Sequence, residues 1–197
     1  MGKYLDELIN RYEKLSPIKD DINKAYKILE ECFSLDKKLL LCGNGGSSSD
    51  CDHIVGELMK GFVKKRTPKE KYSVDKLQDG LMAINLCAHT ALGYAFANDV
   101  NFENSFANQV LNYGRSGDAL LGITTSGNSK NVVLAAKVAR DKNMKVIGLT
   151  GRDGGAMKDI SDVCIIVPEA ETYKIQELHL PIYHALCLEL EDHFFKE

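Results

Sequence analysis

Apolar residues recur at helical spacing from the start of the chain: Tyr4, Leu5, Leu8, Ile9, Tyr12 and Leu15 form one stripe. Ser16-Pro17 then reads as an N-cap with proline at the first helical position, and Ile18, Ile22, Tyr26 and Leu29 carry a second stripe to about Phe33. Beyond residue 35 the pattern changes. Short apolar runs at 38–42, 81–86, 119–123, 145–150 and 163–167 read as strands, bounded by glycine, asparagine or charged residues. The stretches between them predict helices at 48–62, 89–97, 102–112, 130–142 and 172–195, with a short one after Asp153-Gly154-Gly155. Buried strands alternating with helices predict an α/β fold, a doubly wound five-stranded parallel sheet flanked by helices. Residues 1–197 are expected to form one domain, with a helical pair over 1–35 ahead of an α/β core over 36–197. Pro181 interrupts the last helical stretch, so a kink there, or a helix that begins near Leu180, is expected.

Composition narrows the function classes. The net charge of −3 argues against nucleic acid as a partner. No run of 18 apolar residues exists, so no membrane helix is expected, and Met1–Glu7 lacks the apolar core of a signal peptide. The six cysteines show no C-x-x-C spacing and sit mostly among apolar residues, which reads as buried free thiols in a cytoplasmic protein. A disulfide framework is the weaker alternative. The segment 64–78 carries Lys64, Lys65, Arg66, Lys69 and Lys71. It reads as a solvated loop, or as a lid or steering patch for an anionic substrate.

The candidate chemistry begins where the run Leu39-Leu40-Leu41-Cys42 passes into Gly43-Asn44-Gly45-Gly46-Ser47-Ser48-Ser49 just ahead of a helix. Glycines admit a close ligand, and a helix N-terminus offers free N–H groups to an anion. The spacing fits neither a dinucleotide fingerprint, whose third glycine would fall at Ser48, nor a Walker loop, so no nucleotide cofactor is expected. A monophosphate held by neutral donors is one reading; a tight turn with a serine cap is the plainer one. A second strand–loop–helix follows at Thr124-Thr125-Ser126-Gly127-Asn128-Ser129, with more hydroxyls than a turn and a cap require. His53 and Glu57 share one helix face after the first loop, and Asp50 lies one turn earlier, where it could orient His53. Such a pair could hold a metal, share acid–base work or form a surface hydrogen bond. The last helix carries Gln176, His179 and His184 in an otherwise core-like pattern, and His89 and Asp99 lie between the second strand and the helix after it, where capping alone is the plainer reading.

These residues resemble the sugar isomerase (SIS) domain family, and within it the phosphoheptose isomerases. The match rests on Cys-Gly-Asn-Gly-Gly-Ser at 42–47, His-x-x-x-Glu-Leu at 53–58 and Asn-Asp at 98–99. It continues in Gly-Ile-Thr-Thr-Ser-Gly-Asn-Ser at 122–129, Leu-Thr-Gly-Arg-Asp-Gly-Gly at 149–155 and Ile-Gln-Glu-x-His-x-x-x-x-His at 175–184. The resemblance implies a SIS-type, flavodoxin-like sheet and the interconversion of a ketose phosphate with an aldose phosphate through an enediol. The substrate it points to is sedoheptulose 7-phosphate. It implies that Asn44, Gly45, Gly46, Ser47, Thr124, Thr125, Ser126 and Ser129 bind the sugar phosphate, with Asp99 and Gln176 as further contacts. Glu57 and His184 would be the acid–base pair. One zinc per subunit would be held by His53, Glu57, Gln176 and His184. Gln176 and His184 lie eight residues apart, about 12 Å along an ideal helix. They can share a metal only if the helix distorts at Pro181 or a second subunit contributes. A homo-oligomer is expected, a tetramer by the resemblance, with sites at interfaces and residues 1–35 used in its packing. The alternatives are a non-catalytic SIS scaffold of the replication-initiator-associating type, a phosphosugar sensor, or an isomerase of another phosphosugar.

Overall fold

The computed structural model describes residues 2–195. Helix α1 (Lys3–Arg11) leads through a 3-10 turn at Glu13–Ile18 into α2 (Lys19–Ser34). Strand β1 (Leu39–Gly43), α3 (Gly46–Met59) and β2 (Ala83–Asn85) follow, then α4 (Thr90–Asp99) and α5 (Ser105–Tyr113). The second half runs β3 (Ala119–Ile123), α6 (Lys130–Asp141), β4 (Lys145–Thr150), α7 (Gly155–Ile160), β5 (Val163–Ile166) and α8 (Thr172–Phe194). The five strands form one sheet in the order β2-β1-β3-β4-β5, with every pair parallel. The order reverses between β1 and β3, and their carboxyl ends are where a doubly wound sheet opens a crevice for a ligand. Both hydroxyl-rich loops emerge there.

Strand alternation divides the core. Leu39 and Leu41 point to one face, where α1, α2, α3 and α8 pack with Leu5, Ile22, Leu58 and Leu186. Leu40 and Cys42 point to the other, against Phe106, Val132 and Met157 from α5, α6 and α7. Each fully buried leucine contributes about 1.5–3 kcal/mol. The buried faces of α1 and α2 are therefore used inside the chain.

Three local expectations change. Ser16-Pro17 does not start α2, which begins at Lys19 with no side-chain cap. Pro17 sits in the 3-10 turn, which drops Leu15 fully into the core. β2 pairs only with β1 and keeps three residues, because Asn85 caps the following turn through Cys87 N (2.9 Å) and diverts the chain. α8 runs from Thr172 to Phe194 with Pro181 inside it, so it does not begin near Leu180. Ile175, Ile182, Tyr183 and Leu186 lock both halves into one core, and packing overrides the proline's cost.

Among the described residues, no helix is long and apolar enough to cross a membrane. All six cysteines are free.

Candidate active site

The two cradles meet through a pair of amides. Asn44 Nδ2 donates to Asn131 Oδ1 (2.9 Å), and Asn131 Nδ2 donates back to Asn44 Oδ1 (2.8 Å). Asn131 stands in the first turn of α6 and also accepts from Val132 N (3.0 Å), so the first loop is fixed to the second helix N-terminus. Gly45 adopts φ +56°, which turns the chain into α3, and Ser47 is buried in the first turn. Across the crevice Thr124 Oγ1 and Ser129 Oγ share a hydrogen bond of 2.9 Å. Asn128 N donates to Ser126 Oγ (3.2 Å), and Gly127 at φ +67° lies so close to Gly154 that a side chain has no room. Half-buried Thr125 completes the second loop.

Helices α3 and α8 run side by side and parallel, in one register. The amide of Gln176 lies over Gly46, and Tyr183 meets His53, an offset of 130 residues at both points. This register assembles the titratable cluster. His53 Nε2 is 3.4 Å from Glu57 Oε1 and 3.4 Å from His184 Nε2. Glu57 Oε2 accepts from Lys60 Nζ (3.1 Å). Tyr183 OH donates to Asp50 Oδ1 (3.3 Å), so the contact of 3.0 Å between His53 Nδ1 and that hydroxyl is served by a proton on Nδ1. That tautomer leaves the lone pair of Nε2 facing Glu57 and His184. Asp50 thus orients His53 as expected, but through Tyr183, which sequence reading missed because a tyrosine in an apolar stretch reads as core.

Burial and the neighbouring His53 hold the His184 imidazole below its ordinary pKa, against the pull of Glu57. Burial raises Asp50 despite the opposing Tyr183 bond and His53. His179 lies apart, fully buried, with Nε2 against Thr150 O (3.2 Å), and burial pushes it down to about 4. It is a strut between α8 and β4, not a member of the cluster.

Other expected residues fall elsewhere. Asp99 ends α4 in solvent and accepts from Asn98 Nδ2 (2.6 Å). The structure does not bring it to the cradles. His89 stacks on Tyr113 with ring centroids 5.6 Å apart. Both His89 and the first cradle line a cavity of about 250 Å³ that also takes in Ser48, Cys87 and Tyr94. Within it, the bond to Cys51 holds the Cys87 thiol down at about 7 against its burial. Arg66, expected in a solvated loop, is buried.

Two imidazoles and a carboxylate are zinc-type donors, and the Asp50–Tyr183–His53 relay is of the kind that fixes a metal-binding imidazole. Among the described residues, however, no group of three or more His, Cys, Asp or Glu side chains is arranged to hold a metal ion. Gln176 and His184 sit at separate stations along an unbroken α8, so they do not meet within one chain.

A SIS domain model matches residues 3–151. A phosphoheptose isomerase from Helicobacter pylori (strain P12) is 41% identical over 182 residues, covering 92% of this chain and 88% of that one. The chain belongs to the SIS domain family, among the phosphoheptose isomerases. A phosphoheptose isomerase from a Nitratiruptor species is 40% identical over 98% of this chain and 97% of its own. Phosphoheptose isomerase GmhA from Neisseria gonorrhoeae superposes with a TM-score of 0.77 at 37% identity, covering 92% of both chains. A phosphoheptose isomerase from Francisella tularensis gives 0.78 at 33% identity over 96% of this chain and 95% of that one. The protein is therefore an isomerase of SIS fold.

Proposed function

We propose that this isomerase interconverts sedoheptulose 7-phosphate and an aldose heptose 7-phosphate. The observation that carries the reading is the convergence of Glu57, His53 and His184 on two parallel helices, one of which starts at the first cradle. The phosphate is held by Ser47, Thr124, Thr125, Ser126 and Ser129 with the loop at Asn44, Gly45 and Gly46. Gln176, lying over Gly46, contacts the sugar hydroxyls.

Glu57 removes the proton from the carbon beside the carbonyl, its carboxyl exchanges that proton with water while the enediol is held, and the carboxyl then protonates the neighbouring carbon. His184 moves the hydroxyl proton between the two oxygens. Its lowered pKa keeps it neutral near pH 7, ready to accept or pass on that proton.

The chain acts as one SIS domain in a tetramer. α4 buries none of its residues and exposes Leu92 and Tyr94, and Val100 and Phe102 just beyond it are exposed too. His184 also lines a groove of about 340 Å³ between α1 and α8, and this open side of the cluster supports a site that a second subunit closes. Six free cysteines suit a cytoplasmic setting.

A coupled assay with sedoheptulose 7-phosphate in heavy water tests the chemistry. Turnover should carry solvent deuterium into the product carbon, and Glu57→Gln should lose about a thousandfold or more in kcat. Unlabelled product, or a Glu57→Gln variant within tenfold of the parent, sinks the assignment.

A further inference from the structure

The register between Glu57 and His184 is continued by a buried ion pair. Arg66 and Glu191 both have side chains with no exposed surface, and Arg66 Nε donates to Glu191 Oε1 at 2.9 Å. The rest of the guanidinium turns to the end of α3. Nη1 donates to Leu58 O (2.6 Å) and Nη2 to Glu57 O (3.0 Å). These carbonyls belong to the last turn of a helix, where no intrahelical donor remains for them. The Phe195 ring covers the guanidinium, 4.4 Å from its carbon.

Glu191 is equally occupied. It stands two turns beyond His184 on α8 and accepts from Phe62 N (2.7 Å), Val63 N (2.9 Å) and Lys64 N (3.2 Å) as well as from Arg66. Those bonds, with the guanidinium, hold its carboxyl below the usual range although burial alone would raise it. One fork therefore joins the backbone of Glu57 to the helix that carries His184. An isolated buried pair is weak evidence for stability, because desolvation offsets most of its attraction. Here the pair spans the two elements whose relative position the chemistry requires.

We propose that Arg66 and Glu191 are positioning residues for the isomerisation, a clamp that fixes the spacing of Glu57 and His184. The inference rests on the reading of those two as the acid–base pair. The guanidinium shape is essential to it, since five donors in a fixed plane reach two carbonyls and a carboxylate at once. A lysine ammonium at the same place keeps the charge and cannot make all three bonds.

The test uses Arg66→Lys and Glu191→Asp in the full chain, assayed with sedoheptulose 7-phosphate and corrected for folded fraction by circular dichroism. Each should lower kcat about ten- to a hundredfold, the cost of misplacing reacting groups by an ångström or less. KM should stay within about threefold, because the phosphate cradles are untouched. The double variant should be no slower than the worse single one, since both break one clamp. A folded variant with kcat within about twofold of the parent, or a loss carried mainly by KM, overturns the proposal. Where Arg66→Lys does not fold, the milder Glu191→Asp decides. Glu57→Gln runs beside them: if it retains turnover, the acid–base reading fails. If it is inactive while Arg66→Lys runs at the parent rate, only the clamp fails.

Discussion

Asn131 holds together what the hydroxyls cannot. The serines and threonines of the two loops offer donors, but their spacing is set by the reciprocal Asn44–Asn131 amide pair across β1 and β3. An aspartate at 131 would still accept from Asn44 and Val132. It would lose the donated bond and place a negative charge beside the phosphate. Asn131→Asp should raise KM for the phosphorylated substrate tenfold or more, a cost of about 1.4 kcal/mol or above, with a smaller change in kcat. Steady-state kinetics check it, and an unchanged KM removes Asn131 from the phosphate site. Sequence reading found Asn44 in a glycine-rich loop and passed over Asn131. A polar residue one position into a helix reads as surface, and only the contact shows that it is buried.

Elements act here as pairs. α3 carries the first cradle at its start and Glu57 near its end; α8 runs parallel to it and brings Gln176 to the cradle and, two turns on, Tyr183 and His184 to His53. α8 is anchored to the sheet by His179 at Thr150 O. The folded state keeps that imidazole neutral, with a pKa of about 4 against about 6.5 unfolded, so the unfolded chain binds the extra proton between those values. The stability this contributes is complete above pH 6.5 and is lost as pH falls, about 2 kcal/mol of it by pH 5. His179→Gln keeps a donor and does not titrate. Thermal melts between pH 7.5 and 5 should therefore fall more steeply for the parent than for the variant, and equal slopes would refute the account. The same helix continues through Pro181, and burial on both sides, at Ile175 and at Ile182, Tyr183 and Leu186, holds its two halves in one core.

At the scale of the molecule, an apolar helix surface is left over. Leu92, Tyr94, Val100 and Phe102 are exposed on and just beyond α4, while the buried faces of α1 and α2 serve the chain's own core. In the proposed tetramer, α4 is the face that another subunit covers. Sedimentation at micromolar concentration should give a tetramer for the parent, and Leu92→Asp with Tyr94→Asp should shift it to smaller species. A monomeric parent, or a variant that stays tetrameric, rejects α4 as that face.

The sequence by itself determined the order of strands and helices and the candidate reactive groups. Apolar runs of strand length could be buried only between helix layers, so the five-stranded sheet followed, and β3 and β4 hold the predicted bounds. Glycines and hydroxyls at strand ends gave both cradles, and the His53-to-Glu57 spacing placed two reactive groups on one face. Tertiary structure alone decided the rest. It set the parallel register of α3 and α8, the relay through Tyr183, the amide bridge at Asn131 and the burial of Arg66 against Glu191. It also left Asp99 outside the cluster. The reason is physical: periodicity reports which face of an element turns inward, whereas a hydrogen bond between residues 125 or 130 positions apart depends on how two elements slide and rotate against each other.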